Sequence, residues 1–521
     1  MSTFPKNIWV VSREYAGIAE AGGVKNVACS LCEGLSRTGV NVTLFIPRYA
    51  CTDFYSITNY KPNCIPPQKL RVGENLYTVS FDSGLAQSNV HVVFVVHQIF
   101  ADKTGVYTYT AQDEKTNPDW RKGIGFSDEL LLDVLFQKAV VSYGNNTENP
   151  PDIVHCQDAA TALVPAFFHF ESEKTRNKVK FAVTIHNAGP GYHHNFHSLN
   201  QAEFLTSLPT EFLCRCMNGE HIEPFLAAAH FSSITTVSPW YAKELVNPEN
   251  NEDTAGLSSL FAEKQVNITG ITNGIDCERY NPNNTTLSKL PYAFDSIAGD
   301  FKGKYMNREF FLSEYSAQTS RFQREEIQRY GFLDVRGKKT IYIGYHGRIV
   351  RQKGIDILVS AAENLLEQRD DVCFILTGQG ESHLESDVVR LTEKHPGKCI
   401  FFCGYDRTIA RLTTAISDFI VLPSKFEPCG LEDFIAQLYG TVPVAHATGG
   451  LNKIIDNVTG FLYKNNSPSE LSSLLDSLCT KISKEPRSFR NMAQHSACYV
   501  TEKYSWDSVI QNEYLPFYQK I

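Results

Sequence analysis

Arg348 and Lys353 lie five positions apart in Gly347-Arg348…Gln352-Lys353-Gly354, where an apolar run hands over to helical spacing. Both can face one anion above the start of that helix. Arginine offers a planar fork and lysine a mobile point charge, and a pyrophosphate uses both. Further on, Leu422 to Leu451 (LPSKFEPCGLEDFIAQLYGTVPVAHATGGL) reads strand, loop, helix, strand, glycine loop. Helix starts attract anions through their N–H groups and dipole. Two such sites are expected here, at Gly430-Leu431 and at Gly449-Gly450. Glu427, beside them, calls for a polar but uncharged partner such as sugar hydroxyls. The combination suits a phosphorylated sugar held at its phosphate and its ring together. Tyr405 follows Phe402-Cys403-Gly404 in an expected loop, where a ring can stack on a base or simply sit on the surface. Spacing alone leaves both readings of Tyr405 open, and leaves Arg348 and Lys353 open to being solvated cations.

The elements that must position these groups alternate strand and helix. Residues 7–12 read as an apolar strand, a polar loop leads to Gly22-Gly23, and a helix runs from Val24 to Thr38 before the strand 40–46. That βαβ unit lacks G-x-G-x-x-G, so nicotinamide binding is not favoured, and a Gly-Gly turn alone is equally a helix cap. Strands are expected at 90–96, 152–155, 179–185, 232–237 and 268–272, with helices at 128–143 and 159–170. Polar residues recur where these strands end: His155, Asp158, His186-Asn187, Ser238 and Asn273-Gly274. That is where open α/β sheets bind ligands. Residues 282–303 read as a loop-like inter-domain region and 304–330 as a helix interrupted near 313–320. A second alternation follows, with strands near 340–345, 372–376, 399–402, 418–422, 442–445 and 460–462. The fold class expected is α/β, two doubly wound Rossmann-like domains facing a cleft. The first spans 1–280, an inter-domain linker 281–303, the second 304–500, and a C-terminal helix, 501–521, is expected to pack back on the first.

Composition narrows the function. The chain has 521 residues, 42% hydrophobic and 20% charged, and a net charge of −8. With a pI near 6.0 no basic face for nucleic acid is implied. No run of about 18 apolar residues suggests a membrane span, and the start MSTFPKNIWVVS reads as a strand rather than a signal peptide. The 14 cysteines are scattered, as in a reduced, cytoplasmic protein. Cys29-x-x-Cys32 lies mid-helix without a second pair at metal spacing, so no metal is expected.

The motifs in order are Ala21-Gly22-Gly23-Val24, Pro151 to Ala162 (PDIVHCQDAATA), Thr184-Ile185-His186-Asn187, Thr235-Thr236-Val237-Ser238-Pro239 and Asn273-Gly274-Ile275-Asp276. Gly347-Arg348…Gln352-Lys353-Gly354, Pro423 to Leu431 (PSKFEPCGL) and Thr448-Gly449-Gly450-Leu451 follow. In these the chain resembles the bacterial glycogen synthase and plant starch synthase family, retaining glucosyltransferases of the two-domain GT-B fold. The resemblance is collinear over nearly the whole chain, and the last two blocks are its most specific. It implies transfer of glucose from ADP-glucose or UDP-glucose to the non-reducing end of an α-1,4-glucan, with no cofactor and no metal. Arg348 and Lys353 match the pair that holds the donor diphosphate. Glu427 matches the glutamate on the donor glucose hydroxyls, His186 the histidine against the reacting sugar, and Asp158 a substrate-contacting aspartate. Gly22, Gly23, Asn273, Tyr405, Cys429, Gly430, Leu431, Gly449 and Gly450 match donor-binding positions. The implied attack is on the same face as the leaving group, through an oxocarbenium-like state, and no protein nucleophile is assigned.

The chain departs from that pattern in sign of charge. The first-domain loop usually reads Lys-x-Gly-Gly-Leu; here it is Glu20-Ala21-Gly22-Gly23-Val24. A charge pair at ~4 Å interacts by roughly 4 kcal/mol at an effective dielectric near 20, so an inward Glu20 would oppose a diphosphate severely. Pairing with Arg13 or Lys25 would remove the conflict. After Gly430-Leu431 the usual Thr-Gln is Glu432-Asp433, unfavourable to a ligand anion at a helix start. Gln157 and Ala159-Ala160 replace a histidine and a tryptophan–histidine pair, and the loop after Asn187 is altered. These changes set an active glucan synthase against a second reading, a glucan-binding or regulatory homologue that has lost catalysis.

Overall fold

The computed structural model describes residues 5–172, 178–320, 322, 324, 326–334 and 340–521. They divide into two compact units, Met1–Gly274 with Trp506–Ile521, and Ile275–Ser505. Each is an α/β unit built on its own sheet.

The first unit contains β1 (Asn7–Val11), β2 (Asn41–Pro47), β3 (Thr58–Val72), β4 (Asn75–Leu85), β5 (His91–Val96), β6 (Ile153–Gln157), β7 (Lys180–Ile185), a small β8 (Met217–Asn218) and β9 (His221–Ile222) ribbon, β10 (Ser233–Thr236) and β11 (Ile268–Gly270). Its large sheet has the order β11-β10-β7-β6-β1-β2-β5-β4-β3. The pairings from β11 through β5 are parallel. Parallel strands covered on both faces are apolar throughout, and Ile8, Trp9, Val10 and Val11 of β1 are all buried. The chain runs to one side of β1 through β2 and to the other through β6, so the topological switch lies between β1 and β6.

The hairpin β3–β4 falls in a stretch that sequence patterning left irregular. Pro62, Pro66 and Pro67 interrupt the alternation of β3, and its register slips three times against β4. Prolines are tolerated there because β3 is an edge strand. The C-terminal segment folds with the first unit. Trp506 covers Gly274, and Tyr518 Oη lies 2.6 Å from His155 Nδ1 in the middle of β6, which runs two residues past the expected strand end. His155 Nε2 continues the network to Thr184 and Thr235. Burial pushes this imidazole down to about 3, so it is neutral and structural.

The second unit contains β12 (Ile327–Leu333), β13 (Ile341–His346), β14 (Val372–Gly378), β15 (Lys398–Gly404), β16 (Phe419–Leu422), β17 (Val442–His446) and β18 (Phe461–Tyr463). Their order is β12-β15-β14-β13-β16-β17-β18, parallel except for the edge strand β12. Side chains alternate between two cores. Val372, Phe374 and Leu376 of β14 join one, Cys373 and Ile375 the other. The switch lies between β13 and β16.

Two expectations differ here. The region expected to be helical from 304 to 330 is a helix over Lys302–Phe311, a π-turn over Leu312–Ser316, and then the start of β12; residues 321, 323 and 325 lie outside the described residues. Ile327–Leu333 pairs antiparallel with β15 along its whole length, which outweighs the weak helical spacing of IQRYGFL. Residues 282–303, read as inter-domain, belong to the second unit, where Leu290, Phe294 and Phe301 are buried in its core. Their polar neighbours Asn283, Asn284, Thr285 and Thr286 masked that anchoring.

Candidate functional site

In the second unit the switch point brings together the turns after β13 and β16. The chain leaves β13 through Gly347-Arg348, makes a short turn at Arg351–Lys353, and enters the helix Ile355–Gln368. Gly354 sits at φ 68°, and a Cβ there would lie 2.0 Å from Pro423 O. Only glycine allows the two turns to approach this closely. Lys425 N donates to Gln352 O (2.9 Å) and Gln352 Nε2 to Phe426 O (3.1 Å), lacing them together.

That lacing sets Lys353 Nζ against Glu427 Oε2, with Ser424 Oγ donating to the same oxygen at 3.1 Å. Burial raises the Glu427 carboxyl, but the charge of Lys353 and the two hydrogen bonds outweigh it and hold it below its ordinary value. Glu427 is therefore an anion, able to accept hydroxyl hydrogens. Arg348 is exposed and donates to the neutral amide of Gln352 at 3.2 Å. Tyr405, just after β15, is 60% exposed.

The two expected helix-start anion sites are organised differently. Gly430 and Leu431 precede the helix Glu432–Leu438, which has no capping side chain. Gly449–Lys453 is only a 3-10 turn, and the Gly450 N–H is used by Glu427 O (2.8 Å). A Cβ on Gly450 would lie 2.2 Å from Cys429 O, so the glycine serves close loop packing. Lys453, which sequence reasoning missed, ties these loops. Its ammonium is 1% exposed and donates to Cys429 O (2.6 Å), Gly430 O (2.9 Å) and Gly450 O (3.2 Å).

The two carboxylates expected to oppose an anion have partners. Asp433 is fully buried with Oδ1 2.8 Å from Lys453 Nζ. Burial pushes its carboxyl up to about 6 despite Lys453. Glu432 Oε2 lies 2.9 Å from His346 Nδ1 at the end of β13. Burial lowers that imidazole, but Glu432 more than compensates and raises it.

In the first unit polar groups gather where β1, β6 and β7 end. His186 N donates to Asp158 Oδ1 (3.2 Å), and His186 Nε2 donates to Gln157 Oε1 (2.8 Å). Burial takes the His186 imidazole down to about 3, so it is neutral. Asp158 has φ 67° and ψ 178°, a conformation that is essentially glycine's alone. Burial also raises its carboxyl to about 7, against the hydrogen bonds of the His186 and Asn187 N–H groups and the pull of His194. Strain and a costly ionisation coincide at this side chain, which makes Asp158 a candidate functional position.

Sequence reasoning also missed most of the groups near Asp158, and Arg13, one of the two partners considered for Glu20, is engaged elsewhere. Arg13 is buried and pairs with Asp133 (2.8 Å), whose other oxygen lies 2.6 Å from His194 Nδ1. Burial lowers the His194 imidazole, and Asp133 with Glu129 more than restores it. His193 faces two oxygens, Glu223 Oε2 at 2.6 Å and Ala188 O at 2.8 Å, which fixes the loop after Asn187. The consecutive histidines were the one visible signal.

The glycine turn after β1 is held from inside. Glu14 Oε2 accepts from the N–H groups of Gly22 (2.5 Å) and Ala21 (3.0 Å), and burial raises that carboxyl. Gly23 faces open space. Glu20 is half exposed, 3.2 Å from Lys25, and accepts the Gly17 N–H at 2.8 Å. Asn273 is buried, and its Oδ1 has no hydrogen-bond partner among the described residues.

One group of metal-type side chains gathers among the described residues, Glu363, Glu367 and His395. Lys394 already pairs with both carboxylates, leaving little charge for a cation. Among the described residues no helix is long and apolar enough to cross a membrane.

Comparison with known proteins agrees with this architecture. Residues 7–261 match the starch synthase catalytic domain, and residues 333–496 match the glycosyl transferases group 1 family. The chain is 30% identical to a glycogen synthase of Thermodesulfovibrio yellowstonii over 89% of this chain and 88% of that one. It is 26% identical to a glycogen synthase of Flavobacterium johnsoniae, over 99% of each. Among solved structures, the catalytic domain of starch synthase IV from Arabidopsis thaliana, bound to ADP and acarbose, superimposes with a TM-score of 0.79 at 23% identity. That match covers 99% of each chain.

Proposed function

The chain belongs to the glycogen synthase family of glycosyltransferases, and from that premise we propose that it transfers glucose from ADP-glucose or UDP-glucose to the non-reducing end of an α-1,4-glucan. The observation that carries this reading is the Lys353–Glu427 pair at the β13/β16 switch, with Arg348 beside it. A nucleotide-sugar donor needs cations where negative charge grows on the departing diphosphate, and fixed cations there lower the barrier. Arg348 and Lys353 take that role. Glu427, kept ionised, accepts the glucose hydroxyls. Cys429, Gly430, Leu431, Gly449 and Gly450 form the backbone wall behind them, and Tyr405 offers its ring to the base.

His186 and Asp158 serve the reacting sugar, and His186, being neutral, acts as a hydrogen-bond partner rather than an acid. Gly22, Gly23 and Asn273 complete the donor contacts. The acceptor hydroxyl attacks on the face the diphosphate leaves, and a diphosphate oxygen takes its proton, so the configuration is retained. The reading calls for no metal or cofactor and places the protein in the cytoplasm. The acidic departures that motivated a non-catalytic homologue have partners in Lys25, His346 and Lys453, which favours the enzyme.

The test is glycogen with ADP-glucose or UDP-glucose, following nucleotide release and glucan growth. Turnover is expected with one donor or both, and Lys353→Ala is expected to lower kcat about 10²- to 10³-fold. No turnover with either donor, with glycogen binding intact, would overturn the proposal.

A further inference from the structure

Gln157 closes β6, and the register of β6 with β7 sets it beside Thr184. His155, Gln157 and Thr184 share a face, because side chains two apart along a strand point the same way. His186 follows two residues after Thr184. Gln157 is 2% exposed. Its backbone carbonyl accepts the Thr161 hydroxyl at 2.8 Å. Its side-chain Oε1 lies 2.8 Å from His186 Nε2. Its Nε2 is buried with no hydrogen-bond partner among the described residues, which costs about 1–3 kcal/mol. The single bond this amide makes is therefore the one to His186.

The neutrality of that partner sets His186 apart. His193, His194 and His346 each meet a carboxylate at hydrogen-bond distance: Glu223, Asp133 and Glu432. Burial lowers each of these imidazoles, and its carboxylate raises it above the ordinary value. His186 meets an amide instead, and burial takes it down to about 3 with no opposing charge. An amide oxygen accepts Nε2–H but brings no charge to hold a second proton on the ring. Nδ1 then carries the lone pair. It bonds to none of the described residues, and His186 keeps 9% of its surface exposed.

We infer that Gln157 is a positioning residue for His186: its carbonyl fixes the neutral Nε2–H tautomer and so makes Nδ1 a hydrogen-bond acceptor for a hydroxyl of the reacting glucose. The choice of glucose rests on the glucosyl-transfer reading above, and the choice of tautomer rests on the Gln157–His186 contact. Glutamate at this position inverts the polarity. As a carboxylate it holds a second proton on the ring, and as an acid it donates to Nε2 and sends the ring proton to Nδ1. In both forms Nδ1 is a donor, until rising pH removes the shared proton.

Nitrogen NMR of the full chain carrying 15N-labelled histidine tests this, with the His186 signals assigned by their loss in His186→Ala. The parent shows Nε2 protonated and Nδ1 bare from pH 5 to pH 8, and Gln157→Glu shows Nδ1 protonated at pH 6. In glucan synthesis, Gln157→Met lowers kcat/KM for the donor about tenfold at every pH, the loss of roughly one hydrogen bond. Gln157→Glu lowers it more at pH 6, and its ratio to the parent rises with pH. A merely structural role moves the melting temperature of both variants but not that ratio. A protonated Nδ1 in the parent overturns the inference. So does a Gln157→Glu ring still bare at Nδ1 at pH 6, or variants that match the parent in rate and pH profile. The spectra decide the tautomer whether or not glucose is transferred; a parent with the Nε2–H tautomer and no turnover counts against the glucosyltransferase reading and overturns the glucose contact with it.

Discussion

Replacing Lys453 with methionine keeps the apolar stem and removes the ammonium that joins the two glycine loops of the second unit. Three carbonyls, those of Cys429, Gly430 and Gly450, lose a donor at 2.6–3.2 Å. Asp433, fully buried, loses its ion-pair partner among the described residues, at 2.8 Å. Breaking a buried pair by removing one member costs about 3–5 kcal/mol, or ~6–20 °C of melting temperature for a unit of this size. The effect has a pH signature. The native carboxyl of Asp433 is raised from 3.8 to about 6, so between those values the folded state binds more protons than the unfolded one. Stability therefore falls as pH rises through that window and is level above it. Without Lys453 the carboxyl moves higher still, and the fall continues past pH 6. Scanning calorimetry of the two proteins at pH 5.5 and pH 8 reads this, the gap being wider at pH 8. Adding Asp433→Asn recovers about half of the loss, because no charge is then stranded. A shift under 2 °C, or the same gap at both pH values, would refute the reasoning.

Asp158→Gly removes backbone strain of about 1–3 kcal/mol at φ 67°, ψ 178° and gives up the hydrogen bonds from the His186 and Asn187 N–H groups; it is expected to melt no lower than the parent while glucosyl transfer falls at least 100-fold, and a stability loss above about 2 kcal/mol would show that the conformation is unstrained. Because the Asp158 carboxyl is raised from 3.8 to about 7, the parent loses stability as pH rises between those values, and Asp158→Asn flattens that slope in melts taken at pH 5 and pH 8. Glu20→Gln changes donor KM less than threefold, since Lys25 already neutralises Glu20; a tenfold fall in KM would mean that Glu20 repels the donor.

The fold was legible where burial imposes a pattern. Strands such as Phe419–Leu422 and Val372–Gly378 are apolar on both faces, and their ends announce themselves through Gly347-Arg348 and Pro423-Ser424. Arg348, Lys353 and Glu427 could be read because they follow such ends within a few residues. What escaped depends on contacts distant in sequence. Lys453 in GGLNKII looks like a surface charge, and only the approach of Cys429 and Gly430 shows it to be buried. Asp433 was assigned to an anion-facing helix start, but a side chain in a first helical turn can point inward, and this one does. The first part of β12, up to Tyr330, was read as the end of a helix because its pairing with β15 has no local signature. The hairpin β3–β4 was hidden by its prolines.

The acidic departures, taken with their partners, change what they mean for catalysis. Each substituted carboxylate meets a basic partner: Glu20 meets Lys25, Glu432 meets the His346 imidazole, whose protonated form it favours, and Asp433 meets Lys453. A paired charge presents a dipole, whose field falls off faster with distance than that of a lone carboxylate. The repulsion of roughly 4 kcal/mol that a bare anion would exert at 4 Å therefore does not apply to Glu20 or Asp433, and protonation of His346 removes it for Glu432. Arg348, by contrast, has a neutral amide as its hydrogen-bond partner among the described residues, so its charge remains directed outward. Lys353 and Glu427 balance each other until a ligand brings its own charge and hydroxyls. The result is a turn region with an outward cation beside a poised pair, which is the arrangement the proposed diphosphate-sugar donor calls for.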